Sequence, residues 1–151
     1  NKMADLSVTI SEAVTLNGSV RGTTNTLTTT SIVDTYERTI TCTHSQTTTI
    51  ATFGATPHAS AGALDYDNAK YIRITNLDST NECEIAFVGS ATLYQVRLRA
   101  GASHILCNGD DILLAEADTS PSFGTMEDLG SIQVRPTTSN NIQVEIFVAS
   151  V

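Results

Sequence analysis

The segment from Lys70 to Asn108 alternates apolar and polar side chains in four short runs, which are separated by clusters of Asn, Asp, Ser and Gly. Successive side chains of a β-strand point to opposite faces of a sheet, so this alternation is typical of strands with one buried face. The polar clusters are typical of turns. The segment therefore predicts a series of antiparallel hairpins in an all-β protein.

The register of these strands is specified by the positions of the charged residues. Ile74 is predicted to face the core, and Arg73 is predicted to face the solvent. Val96 and Leu98 are predicted to face the core, with Arg97 between them on the outer face. A shift of one residue would bury the arginines and expose the apolar side chains, which makes the alternative register unfavourable.

The alternation extends over most of the chain, whereas no stretch of ten or more residues has the apolar spacing of a helix. Residues 6–16, 32–42 and 47–53 predict three strands, and the apolar run 112–118 predicts a buried strand. The last two strands are predicted to begin at Ile132 and Ile142. This pattern predicts an antiparallel β-sandwich or jelly roll of about 8–10 strands.

The length of 151 residues is that of one domain, so residues 1–151 are predicted to form a single β-sandwich. Residues 17–31 are rich in threonine and too polar to fill a core, and they predict an edge strand or an arm. Asn1 and Lys2 are expected to be flanking residues before a start at Met3. We see no export signal in this region.

The formal net charge is -8, and the charged residues do not form a basic cluster. Binding to a phosphate backbone requires clustered Lys and Arg, so nucleic acid is not expected as a partner. No run approaches the roughly 18 consecutive apolar residues that predict a membrane span. A membrane is therefore not expected as a partner either.

The three cysteines, Cys42, Cys83 and Cys107, lack the C-x-x-C spacing of zinc ribbons and form an odd set. They are predicted to be packing residues. Cys42 with His44, and His104 with Cys107, would supply the ligand types that zinc prefers. Because His104 and Cys107 differ in strand phase, we favour structural histidines and expect no metal and no cofactor.

The segment 55–69 is the longest predicted loop of the first half and contains His58, which is expected to be exposed. Its Asp65-Tyr66-Asp67-Asn68 sequence carries oxygen ligands suited to calcium, but the Gly and the distal Glu of a calcium loop are missing. A solvated acidic loop is favoured. Neither a G-x-S-x-G elbow nor a glycine-rich phosphate loop occurs. We expect no catalytic residues and no enzymatic activity.

Three apolar residues, Val88, Leu93 and Phe147, fall in the strand phase of the polar side chains. Single apolar residues on a surface need no explanation. Three of them on three strands could instead form one patch, and exposed apolar patches mark association sites. They are candidate subunit-interface residues of a homo-oligomer, for which we expect a trimer.

Four segments, MADLSVTISEAVTLNGS, YIRITNLDST, VRLRAGASHIL and NNIQVEIFVAS, resemble small virion structural proteins of tailed bacteriophages, particularly marine and cyanobacterial phages. The resemblance is one of pattern over nearly the whole chain. It implies a capsid decoration, or cement, protein that binds and stabilises the outer capsid shell.

Under this resemblance the major capsid protein or other virion proteins would be partners, in a virion assembled in the host cytoplasm. A tail, adaptor or fibre component, a host-surface or glycan-binding module, and a small cupin-like enzyme remain as alternatives.

Overall fold

A computed structural model describes residues 3–56 and 62–151, so Asn1, Lys2 and His58 lie outside the described residues. No helix in the described ranges could span a lipid bilayer. Thirteen strands form in this part of the chain: β1 (Ala4–Ser11), β2 (Val14–Leu16), β3 (Ser19–Arg21), β4 (Thr24–Ile32), β5 (Asp34–Cys42), β6 (Thr48–Gly54), β7 (Ala63–Asp65), β8 (Ala69–Asn76), β9 (Cys83–Val88), β10 (Leu93–Leu98), β11 (Ser103–Leu106), β12 (Ser131–Pro136) and β13 (Ile142–Ser150).

Strands β5 to β13 form a sandwich of two sheets. The five-stranded sheet has the order β10-β9-β12-β6-β7, and the four-stranded sheet has the order β11-β8-β13-β5. All pairs are antiparallel except β6 with β7. The inner faces of both sheets contribute to one apolar core. The predicted all-β sandwich is confirmed.

The strand pairs of the sandwich are nested around the turn between β9 and β10. β9 pairs with β10, β8 with β11, β6 with β12 and β5 with β13, so the chain resembles one long hairpin that has been rolled up. Further pairing of β13 with β8, and of β12 with β9, joins the rolled pairs into two sheets. This is the connectivity of a jelly roll.

The prediction of consecutive hairpins over residues 70–108 is therefore wrong in one respect. The four runs are strands, but of the consecutive pairs only β9 and β10 are bonded to each other. β8 and β11 belong to the opposite sheet. The polar clusters after β8 and β10 are crossings between the sheets, which local alternation cannot distinguish from hairpin turns.

Asn76 holds both crossings together at one end of the sandwich. Its side chain is fully buried. The amide nitrogen donates to the carbonyl of Asn81 in the first crossing, at 2.9 Å, and to the carbonyls of Leu98 and Arg99 at the second, at 3.4 and 3.3 Å. The amide oxygen accepts from the backbone N–H of Asp78 at 3.0 Å. One side chain thus satisfies polar groups of both connections.

The strand phases of the central segment are confirmed. Ile74 is fully buried, and Arg73 lies on the outer face with a quarter of its side chain exposed. There its guanidinium binds the carboxylate of Glu145 at 2.6 Å. Leu98 is buried, while Arg97 is exposed and pairs with Glu84 at 2.9 Å.

Three strand predictions need correction. The strand predicted over 6–16 is interrupted at Glu12 and Ala13, between β1 and β2. The strand predicted over 32–42 is split at Val33, since Ile32 ends β4 and packs in a separate cluster outside the main core. The run 112–118 forms a loop, in which Leu113 makes an isolated bridge to Glu127. β7 lies in a segment that was predicted to be a loop.

We expect Asn76→Ala to lower the free energy of unfolding by about 2–3 kcal/mol, because it removes a fully buried amide that donates to the carbonyls of Asn81 and Leu98 and accepts from Asp78. Denaturant unfolding followed by circular dichroism would measure the change. Asn140→Ala, at an exposed asparagine in the β12–β13 connection, is the matched control and is expected to change stability by less than about 0.5 kcal/mol. Equal tolerance of both changes would contradict this role of Asn76.

Candidate functional site

The segment 4–32 forms a long two-stranded hairpin, which we call the β-ribbon. β1 pairs with β4 from Ala4 opposite Ile32 to Ser11 opposite Thr24, and β2 continues the same register with β3. The turn at Asn17-Gly18 has positive φ at both residues, 50° and 79°. Two such residues form a type I′ turn, whose twist matches that of the flanking strands.

The β-ribbon has one apolar face and one hydroxyl face. The apolar face carries the even-numbered residues of β1 and β2 together with Leu27, which lies opposite Val8. On the other face Thr9 bonds Thr26 at 3.2 Å, and Ser11 bonds Thr24 at 2.9 Å. The ribbon is therefore amphipathic, as the alternation in residues 6–16 indicated.

Close approach of the two ribbon strands requires glycine at position 22. A Cβ atom there would lie 2.1 Å from the carbonyl oxygen of Glu12, and φ is 111°. The backbone N–H of Glu12 also donates to the carbonyl of Thr23 at 2.9 Å. These contacts keep the register through the interruption between β1 and β2, so the ribbon continues to its tip.

The base of the β-ribbon packs on the outer face of the four-stranded sheet. Leu6 and Val8 join a second apolar cluster that contains Ile32, Tyr71 and Phe147. The rings of Tyr71 and Phe147 meet edge to face with centroids 6.0 Å apart. Because an isolated two-stranded ribbon is marginally stable in water, these apolar contacts are expected to hold the base of the β-ribbon in place.

The tip of the β-ribbon, residues 14–21, has no comparable apolar contact with the other residues in the described ranges. Val14, Leu16 and Val20 are exposed by 57%, 61% and 72% of their surface. Val14 and Leu16 share the apolar face, and Arg21 lies opposite Val14. The apolar face that is covered at the base is therefore open to solvent at the tip.

A second apolar surface lies beneath the loop that follows β11. We call it the loop hollow: an open cleft of about 590 Å³ lined by Thr92, Leu93, Tyr94, Ile112, Leu113, Leu114, Ala115, Glu116, Pro121, Phe123 and Met126. Phe123 is 81% exposed. The strand predicted over 112–118 did not indicate this surface. A sequence signal for it does exist, because a Phe and a Met occur in a loop that is otherwise rich in Ser, Pro and Gly.

Glu127 fixes the loop of the hollow to the turn between β9 and β10. Its carboxylate accepts from the hydroxyl of Ser90 and from the backbone N–H of Ala91. Its backbone pairs with Leu113. The hydrogen bonds from Ser90 and Thr92 lower the pKa of Glu127, so its carboxylate is charged at neutral pH and remains an acceptor.

The candidate interface residues do not form one patch. Val88 and Leu93 are directly paired on the outer face of the five-stranded sheet, and Leu93 also lines the loop hollow. Phe147 lies on the outer face of the opposite sheet and is partly covered by the base of the β-ribbon. A role of Val88 and Leu93 in subunit contact stays a prediction, and Phe147 already has an intramolecular contact.

The candidate zinc ligands are separated by the fold. Cys42 is on β5 and His104 on β11, which are the two opposite edges of the four-stranded sheet. His44 is exposed, and its backbone N–H donates to Asn141 at 2.9 Å. In the described ranges, no group of three or more His, Cys, Asp or Glu side chains is placed to hold a metal ion.

His104 packs against aromatic side chains at the side of the sandwich that is formed by the edge strands β10 and β11. Its ring centroid lies 4.9 Å from that of Phe87, and its Nε2 lies 3.4 Å from the hydroxyl of Tyr94. Burial in these surroundings lowers the pKa of His104 below its ordinary value of 6.5. The imidazole is thus a packing group that is neutral at neutral pH.

The acidic segment at 65–68 is bonded within itself. Asp65 accepts from the backbone of Asp67 at 2.9 Å and from the side chain of Asn68 at 3.1 Å. Desolvation, together with the charges of Asp65, Asp128 and Asp110, raises the pKa of Asp67. Asp110 has one shielded oxygen without a hydrogen bond in the described ranges, and Lys70 Nζ lies 3.9 Å from it.

Comparison with known proteins found no matching family model, no matching curated protein and no matching solved structure.

A thiol reagent is expected to label one cysteine in the native protein and three after unfolding. Cys107 is exposed, whereas Cys42 and Cys83 are buried, and desolvation raises the pKa of Cys83 to about 12. Only the thiolate reacts, so a buried thiol with a high pKa is inert. Cys107→Ser should leave no reactive thiol in the native state, and labelling of that variant would contradict the burial of the other two.

Acidification from about pH 7.5 to about pH 5.5 is expected to lower the thermal stability through His104. Its pKa is lower in the folded state, so the unfolded chain binds a proton first. The stabilisation is complete above the unfolded pKa and is lost as the pH falls toward the folded pKa. His104→Phe should reduce the difference in melting temperature between the two pH values, whereas the control His44→Gln should preserve it. An unchanged difference in His104→Phe would contradict the prediction.

Proposed function

We propose that this chain is a non-enzymatic structural protein of a virion, a capsid decoration protein that binds the outer shell of a tailed-phage capsid and stabilises it. It acts as a homo-oligomer and contacts the major capsid protein. The resemblance in sequence pattern suggests this class of protein. The observation that carries the proposal is the β-ribbon, whose apolar tip extends from the sandwich and is not covered by any of the residues that the structure describes.

The chemistry of the β-ribbon supports a role in assembly. A two-stranded ribbon gains little stability by itself, and its exposed valine and leucine side chains favour burial against another surface. A decoration protein must also keep its shape while it is held at many equivalent positions. The sandwich supplies a rigid body, with the inner faces of two sheets packed into one core.

The jelly roll agrees with the proposal but does not decide it. Viral capsid proteins, lectin domains and cupin enzymes all use this connectivity. The function of a protein with this fold depends on the surfaces that the fold carries. In this chain those surfaces are the ribbon tip and the loop hollow, and both are suited to contact with protein.

Mass spectrometry of separated capsids and tails from the parent phage would test the proposal. We expect the chain in the capsid fraction, in a copy number that scales with the major capsid protein. Capsids stripped of the chain should release DNA at a lower temperature, and addition of the purified protein should reverse this loss. Presence in the tail fraction alone, or absence from particles, would show that the chain is not a decoration protein.

A further inference from the structure

Exposed apolar side chains are concentrated at two places in the described ranges. Of the twelve large apolar residues that are exposed there, seven lie in residues 3–33, in or beside the β-ribbon. Three of the other five, Leu93, Phe123 and Met126, line the loop hollow. Contiguous exposed apolar surface marks an association site, so both surfaces are expected to be covered in the assembled protein.

The two surfaces do not cover each other within one chain. Leu6, Val8 and Ile32 hold the base of the β-ribbon on the outer face of the four-stranded sheet. The lining of the loop hollow contains no residue of the ribbon. Val14 and Leu16 at the tip stay more than half exposed. Among residues 3–56 and 62–151, nothing covers either surface, so both are open to a second molecule.

The tip and the hollow both present apolar side chains. The tip is a two-stranded turn, which makes it narrow, and its apolar residues Val14 and Leu16 are two positions apart on one face. The hollow is an open cleft of about 590 Å³ with a largely apolar lining. This volume lies within the range of about 300–1,000 Å³ that is usual for ligand-binding clefts.

The tip and the hollow are also complementary in charge. Arg21 is the only cation of the β-ribbon, and it lies beside Val14 on the apolar face. Of the described residues that line the hollow, Glu116 is the only charged one. Ser122 donates to the Glu116 carboxylate from its backbone and its hydroxyl, at 2.9 and 2.6 Å, and these bonds lower the pKa of Glu116. The carboxylate is therefore ionised at neutral pH.

We propose that the ribbon tip of one copy of this chain inserts into the loop hollow of a second copy, with Val14 and Leu16 against Leu93 and Phe123, and with Arg21 facing Glu116. Every copy then carries a tip that inserts and a hollow that receives, at different places on its surface. Such a heterologous contact builds a closed ring when the rotation between copies closes.

This inference rests on the self-association stated under Proposed function, but it does not require binding to a capsid. It names the surfaces that associate and the direction of the contact. A chain that forms the ring in solution but is missing from particles would contradict only the function. A chain that is found on capsids but is monomeric in solution would contradict the inference and the self-association, and would leave the binding to the capsid intact.

Sedimentation velocity of the purified chain at about 50 µM would test the contact. We expect an oligomer, and we expect Leu16→Glu and Phe123→Glu each to weaken it at least about tenfold while the circular dichroism stays native. Leu77→Glu is the matched control, because Leu77 is 45% exposed and belongs to neither surface. A monomeric wild-type chain, or an oligomer that tolerates Phe123→Glu, would overturn the proposal.

A mixture of the two variants would test the direction of the contact. The Leu16→Glu copy keeps an intact hollow, and the Phe123→Glu copy keeps an intact tip, so one contact per pair remains. We expect the mixture to form dimers that contain one copy of each and no larger species. Recovery of the wild-type oligomer, or a mixture that stays monomeric, would show that the contact is not the proposed one.

Charge reversal would test the pairing of Arg21 with Glu116. Arg21→Glu and Glu116→Arg should each weaken the oligomer, because each places like charges in contact. The double variant should recover at least part of the lost affinity, since it restores opposite charges. A double variant no stronger than the weaker single variant would overturn the proposed position of the tip.

Discussion

The sandwich depends on one constraint, which is that the inner faces of both sheets must be buried in the same core. Phe87 illustrates this shared burial. Its ring is fully buried, stacks on Tyr94 with centroids 4.8 Å apart and also contacts His104. Tyr94 is on an edge strand of one sheet and His104 is on an edge strand of the other. The aromatic contact therefore closes the side of the core where the two sheets would otherwise be open.

The nested pairing explains why a buried polar residue is needed at the end of the sandwich. The chain crosses between the sheets after β8 and again after β10, and backbone groups in such crossings have no strand partner. The Asn76 side chain supplies partners for some of these groups, with a donor that reaches both crossings and an acceptor for Asp78. A polar side chain at this point stabilises the connectivity as well as the fold.

The β-ribbon follows the same alternation as the sandwich strands, but it meets a different environment. At its base the apolar face lies on Tyr71 and Phe147, which belong to the outer face of a sheet. Toward the tip the same face is exposed at Val14 and Leu16, and none of the described residues covers it. The apolar surface that remains is a consequence of ribbon length, and it links this element to the proposed assembly role.

The sequence alone determined most strands of the sandwich and the side of each that is buried, but it did not predict β7 or the loop at 112–118. Ile74 and Leu98 face the core and Arg73 and Arg97 do not, because a period of two leaves one register that avoids burying charge. The Asn17-Gly18 turn also follows from local chemistry, because Asn-Gly is the sequence that favours a type I′ turn between two strands.

Only the tertiary structure decided which strands pair and which apolar residues stay exposed. Alternation fixes the face of a strand but carries no information about its neighbour, so the crossings on either side of the β9–β10 hairpin could not be told from turns. Phe147 has the phase of an exposed residue, yet it is covered by a ribbon that is distant in sequence. Phe123 is exposed because its loop runs outside the core, and that depends on contacts such as those of Glu127 with the β9–β10 turn.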